Sequence, residues 1–125
     1  MPHILLVDDE PDLVEVCTMV LEELGHTVAG VERGQQALET ARRRVPALVV
    51  LDWVMPGCDG GAVLAALRTD RITASVPVLA ISALADGAAR ARAAGATAFL
   101  AKPFDAEQLT AAVTAVLAGA GGATK

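Results

Sequence analysis

Five times along this chain a short apolar run, often β-branched, is followed by an amphipathic stretch, and no other feature limits the fold so strongly. That alternation is the pattern of βαβ units around a parallel sheet. The strand candidates are residues 3–7 (HILLV), 27–31 (TVAGV), 47–51 (ALVVL), 77–81 (PVLAI) and 97–100 (TAFL). The first, third and fourth are continuously apolar, as strands covered by helices on both faces must be. The predicted class is therefore α/β. A length of 125 residues suits one domain, placed at 1–118, with 119–125 read as a flexible tail or the start of a linker because AGAGGATK is small and glycine-rich.

The intervening stretches carry helical spacing. Leu13, Cys17, Val20, Leu21 and Leu24 share one face, with Pro11 near the start and Gly25 just past the end. The last helix repeats the pattern in Leu109, Val113, Val116 and Leu117, and Asp105 with Gln108 forms a candidate capping box. Helices at about 34–44 and 60–69 rest on smaller stripes, Ala37, Leu38 and Ala41 in one and Val63, Leu64 and Leu67 in the other. The fourth differs. From Ala85 to Ala98 no apolar side chain exceeds alanine, and Arg90 and Arg92 interrupt the run. At roughly 25 cal/mol per Å2 of buried apolar surface, such a helix is weakly anchored and easy to shift.

Composition excludes several functions. A net charge of −5 offers no basic stripe for nucleic acid, so a protein partner is expected. Cys17 and Cys58 lie in no CxxC pattern and are read as buried free thiols. No apolar run reaches the length of a membrane span, and none near the start resembles a secretory signal, which makes the cytoplasm the expected compartment. His3 and His26 are isolated, so surface or strand-end roles are expected; Trp53, directly after Asp52, is read either as shielding the site or meeting a partner, or equally as a plain surface loop aromatic.

In an open parallel sheet, ligands bind at the carboxyl ends of the strands. There the first strand ends in Asp8 and Asp9, the third in Asp52 and the fourth in Ser82, while Lys102 and Pro103 follow the fifth. Taken singly, the acids are helix caps and Lys102 is a solvated charge; together, at the ends of different strands, they describe a site. Ionised carboxylates a few ångström apart repel by roughly 4 kcal/mol per pair at an effective dielectric near 20. A hard divalent cation with oxygen ligands, magnesium rather than zinc or copper, offsets that repulsion, and Lys102 adds a second positive charge.

The segments VDDEP, LDWVMPGCDG, ISA and FLAKPF, in this order, resemble the four signature segments of the response-regulator receiver family of two-component signalling, a likeness covering about residues 3–118. The resemblance implies a flavodoxin-like, doubly wound, five-stranded parallel sheet in order 2-1-3-4-5 with five helices. It makes Asp52 the phosphoacceptor, Asp9 a direct magnesium ligand, Asp8 a ligand mainly through metal-bound water, and the backbone carbonyl of Val54 a further ligand. Lys102 would pair with a phosphoryl oxygen, its bond to Pro103 would be cis, and Ser82 and Phe99 match the hydroxyl and aromatic switch positions. The implied donor is a histidine kinase or phosphotransfer protein. The implied receiver of the signal is a downstream protein or effector domain, reached through the face of helix 4, strand 5 and helix 5.

Departures from the family pattern qualify this. Ala96, Thr97 and Ala98 stand where dimerising relatives often carry acidic residues, which favours a monomer or weak dimer. Val54 and Leu84 occupy positions that tune phosphoryl lifetime, and two apolar side chains there favour a long-lived phosphoryl group. Competing readings are less well matched. A haloacid-dehalogenase-type phosphatase would carry an aspartate at position 54. A flavodoxin would need small and hydroxyl residues in the first loop, and a pseudo-receiver would not need the full set of Asp8, Asp9, Asp52, Ser82 and Lys102.

Overall fold

The computed structural model describes residues 2–119. In chain order the elements are β1 (His3–Val7), α1 (Pro11–Glu23), β2 (Thr27–Val31), a 3-10 turn (Gly34–Gln36) leading into α2 (Ala37–Arg43), and β3 (Leu48–Asp52). Then come the two-residue strands β4 (Val54–Met55) and β5 (Cys58–Asp59), α3 (Gly60–Thr69), β6 (Val78–Ser82), α4 (Gly87–Ala94), β7 (Ala98–Ala101) and α5 (Ala106–Gly119). Five strands form one sheet in the order β2-β1-β3-β6-β7, with every neighbouring pair parallel. Counting only the strands of this sheet, that is the implied order 2-1-3-4-5. β4 and β5 form a small antiparallel hairpin of their own, closed by Gly57 in the left-handed region.

The central strands are apolar throughout because each feeds two cores. Leu5, Val7, Val49 and Leu51 face α2, α3 and α4 through Ala37, Ala41, Val63, Leu64, Leu67 and Ala91. Ile4, Leu6, Leu48 and Val50 face α1 and α5 through Cys17, Leu21, Leu109, Val113 and Val116. The period of two in strand side chains thus sorts one run of residues into opposite layers.

Three strands run one residue further than their apolar runs suggest, and this places the polar residues. Asp52 pairs with Ile81 and Ser82 with Ala101 in the sheet register, and Lys102 N donates to Ser82 O at 2.9 Å. Asp52 and Ser82 are thus held by the ladder itself rather than by loops. The capping box of α5 forms as expected, Gln108 N donating to Asp105 Oδ1 at 2.8 Å and Asp105 N to Gln108 Oε1 at 2.9 Å. α5 continues through Gly119, the first residue of the expected tail, and the rest of that stretch, residues 120–125, lies outside the described residues.

Two expectations need correction. Trp53 is not a loop aromatic at the surface; it is 5% exposed and belongs to the core beneath α3. The reason is the sharp return of the chain: Gly60 N donates to Trp53 O at 3.0 Å, and a Cβ on Gly60 would stand 2.7 Å from Trp53 Cα, so only glycine permits this approach. Cys58, expected to be buried, is partly exposed because it sits in the hairpin, whereas Cys17 is buried as expected; both are free thiols. His3 takes the expected strand-end role, its Nδ1 lying 2.8 Å from Thr27 Oγ1. Among the described residues no helix is long and apolar enough to cross a membrane.

Candidate functional site: an acidic edge closed by a lysine

β1 and β3 are neighbours at the centre of the sheet, so Asp8, just beyond β1, and Asp52, the last residue of β3, emerge side by side. Both are buried. Asp8 is fixed by its own backbone, whose N–H donates to Val31 O at 3.1 Å, and its Oδ1 accepts from Glu10 N at 2.9 Å. Asp52 Oδ1 accepts from Val54 N at 3.3 Å. Lys102 reaches in from the turn after β7, where its peptide bond to Pro103 is cis, as the resemblance implied. Its Nζ lies 3.1 Å from Glu10 Oε1, 3.4 Å from Asp8 Oδ2 and 3.5 Å from Asp52 Oδ2.

Oxygens of Asp8, Glu10 and Asp52 lie within 4.8 Å of one another. Glu10 is the member that sequence reasoning passed over, although it stands inside the VDDEP segment. Asp9 is half-buried and is not part of this group. Val54, expected to offer its carbonyl, lies in the hairpin directly after Asp52, its side chain exposed. Ser82 is buried on the neighbouring strand, and its Oγ accepts from Leu84 N at 3.0 Å, which leaves the hydroxyl proton to donate elsewhere. Phe99, in β7, packs partly buried against the α2, α3 and α4 core.

The electrostatics of this edge favour added positive charge. Burial raises the Asp52 carboxyl to about 6, helped by the charge of Asp8 and opposed by Lys102 and the Val54 N–H. Burial likewise raises Asp8, against the Glu10 N–H bond and Lys102. Burial pulls Lys102 down, but the charges of Asp8 and Asp52 more than reverse this, so its ammonium is held above the ordinary range. Three carboxylates and one ammonium leave two negative charges uncompensated when all are ionised. Asp8 Oδ2 is moreover buried without a hydrogen bond, having only the longer charge contact with Lys102. An orphaned carboxylate oxygen among oxygen donors, at an edge whose net charge with Lys102 is −2, fits a hard divalent cation such as magnesium.

Comparison with known proteins agrees with this architecture. Residues 4–114 match the profile of the response regulator receiver domain. The chain is 36% identical over 121 residues to protein PilH of Pseudomonas aeruginosa, covering 95% of this chain and 100% of that one. It is 36% identical over 119 residues to the DNA-binding dual master transcriptional regulator RpaA of Synechocystis sp., covering 94% of this chain but only 49% of RpaA. Among solved structures, the receiver domain of NtrX from Brucella abortus superposes with a TM-score of 0.84 at 32% identity, covering 92% of this chain and 98% of that one. The chemotaxis protein CheY4 of Vibrio cholerae gives 0.86 at 26% identity, covering 93% and 98%. With the sheet order, the lysine-closed acidic edge and a family match over most of its length in agreement, this chain belongs to the response regulator receiver domains, the signalling switches of two-component systems.

Proposed function

We propose that the chain is a phosphorylatable switch that accepts a phosphoryl group onto Asp52 from the phosphohistidine of a histidine kinase or phosphotransfer protein. The observation that carries this is the buried Asp52 carboxylate facing both Lys102 and Asp8 at the carboxyl edge of the sheet. A carboxylate oxygen of Asp52 attacks phosphorus in line, the P–O bond forms as the P–N bond breaks, and the electron pair returns to the imidazole nitrogen. Even with its carboxyl raised to about 6, Asp52 is mostly ionised at neutral pH, so the step needs no general base. Lys102 meets the charge of the phosphoryl oxygens. Asp8, Asp9, Asp52 and the carbonyl of Val54 are the groups that would hold magnesium, which when bound neutralises charge on the transferring group.

The product adds nearly two negative charges and three acceptor oxygens. Ser82, whose hydroxyl proton is uncommitted, donates to one of them and draws the turn before α4 inward, and Phe99 follows into the space released. The face of α4, β7 and α5 then changes for a downstream protein or effector domain. A net charge of −5 supports protein contacts rather than direct nucleic-acid contacts for this domain, and the setting we assign is a cytoplasmic monomer or weak dimer.

The test is incubation with acetyl phosphate and magnesium, followed by intact-mass measurement. One phosphate should be incorporated, and none in Asp52→Asn. Equal incorporation in Asp52→Asn would refute the assignment, and turnover of many unrelated phosphoesters would favour a phosphatase instead.

A further inference from the structure

The shortest contact of the Lys102 ammonium is to neither of the buried carboxylates. It is to Glu10, at 3.1 Å, against 3.4 Å to Asp8 and 3.5 Å to Asp52. Glu10 is the residue preceding α1, where a side chain ordinarily caps the free N–H groups of the first turn. Its carboxylate makes no such bond, and Pro11 follows it. The side chain instead reaches across to a lysine 92 positions away, and the Glu10 backbone is pinned beneath it by the N–H bond to Asp8 Oδ1. Glu10 is 62% exposed and Lys102 18%, so the pair sits at the mouth of the site, between solvent and the two buried acids.

We infer that Glu10 is a positioning residue for Lys102: its carboxylate holds the ammonium at the mouth of the acidic edge and yields it when a phosphoryl group reaches Asp52. Before transfer, Glu10 occupies the role that a phosphoryl oxygen takes afterwards, an anionic partner for the same ammonium. The exchange of partners is then part of the barrier to phosphorylation. Because Glu10 is largely solvated while the phosphoryl oxygens arrive in a more enclosed place, the exchange runs toward the phosphoryl group once it is present. This rests on the reading of Asp52 as acceptor.

The experiment compares the unaltered chain with Glu10→Gln and Glu10→Asp, using acetyl phosphate over a range of concentrations. Aspartate keeps the charge but is roughly 1.5 Å shorter, one carbon–carbon bond. Release of the tether should raise the maximal phosphorylation rate about fivefold in both variants, the effect of one charge contact at a solvated site, with little change in the concentration for half-maximal rate. If Glu10 acted only by repelling an anionic donor, Glu10→Asp would match the unaltered chain and Glu10→Gln would change the half-maximal concentration; that pattern overturns the inference. Magnesium titration followed by Trp53 fluorescence supplies a second readout. A loss of affinity of about tenfold or more in Glu10→Gln would make Glu10 a metal ligand and also overturn it.

A third readout needs no phosphorylation. In magnesium-free buffer, Glu10→Gln and Lys102→Met should be non-additive in the unfolding equilibrium constant by about fivefold, and strict additivity refutes the tether. No phosphate on Asp52 in the unaltered chain overturns the acceptor reading and this inference with it. Normal incorporation at an unchanged rate in both variants overturns the tether alone.

Discussion

Gly87, the first residue of α4, lies directly against the ring of Phe99: a Cβ at position 87 would stand 3.0 Å from Phe99 Cζ, 3.1 Å from its Cε1 and 3.1 Å from Ser82 Cβ. The hydroxyl and aromatic residues implied in switching therefore meet at a glycine. A valine there must push the ring aside or move the start of α4. Overpacking of this kind costs about 1–3 kcal/mol. Gly87→Val should lower stability to urea by that amount, and in a Phe99→Ala background part of the penalty should vanish, because the ring is gone while the Ser82 Cβ contact stays. Additive losses in the two-residue cycle would mean that valine is resisted by something else.

The raised carboxyl of Asp52 makes a prediction with a definite sign. Its value rises from 3.8 to about 6 on folding, so between these values the folded chain binds more protons than the unfolded one. Stability from this group is then fully present below about pH 3.8 and is lost as pH rises through about 6. Asp52→Asn removes the ionised carboxylate and should stabilise the magnesium-free protein at pH 7 by up to about 3 kcal/mol. The gain should shrink toward zero near pH 3.5 and should be smaller when magnesium is present (about 3.5 being just below the unfolded value). Thermal or urea unfolding at both pH values checks this, and a destabilised Asp52→Asn at pH 7 without metal would contradict it.

On the proposed function, protons and magnesium would compete for the same oxygens. With Asp52 titrating at about 6, magnesium affinity should be nearly constant above pH 7 and should weaken by about tenfold per pH unit once the pH is well below 6. Trp53, the single tryptophan and the neighbour of Asp52, provides the fluorescence signal for that titration. An affinity independent of pH between 5 and 7 would place the metal elsewhere (a window of about one unit either side of the Asp52 value).

Val54, two residues after Asp52, is 56% exposed and Leu84, two residues after Ser82, is 38% exposed, and neither apolar side chain carries a group that could orient water. On the proposed function, a phosphoryl group on Asp52 should therefore persist for minutes or longer. Following the decay of the phosphorylated mass after removal of the donor tests this, and a half-life of seconds would refute it.

In α4 only Gly87 and Ala91 are buried, whereas α1 buries Cys17 and Leu21. With so little apolar area holding it, α4 should open at lower free energy than α1. Amide exchange in the unphosphorylated protein should show residues 88–94 less protected than those of α1. Equal protection would show that backbone and loop contacts hold α4 as firmly as side chains hold α1.

Read as a one-dimensional string, the chain determined the five strands of its main sheet, the five helices between them and the polar residues at the strand ends, but not the small β4–β5 hairpin or the 3-10 turn before α2. Continuous apolarity in HILLV and ALVVL needs helices on both sides of a sheet, and Asp105 with Gln108 names its own cap, because these rules act between neighbours along the chain. Strand order came from likeness to a family rather than from periodicity, since nothing local says which parallel strand lies beside which. Tertiary structure alone decided the rest. Trp53 looked like a loop residue until the return at Gly60 folded α3 over it. Glu10 was passed over in the sequence, and only the fold, which brings Lys102 across 92 positions to meet it, gives it a role. Both outcomes depend on contacts between segments remote in sequence, and the energy of a remote contact is invisible to a pattern that compares each residue only with those a few places away.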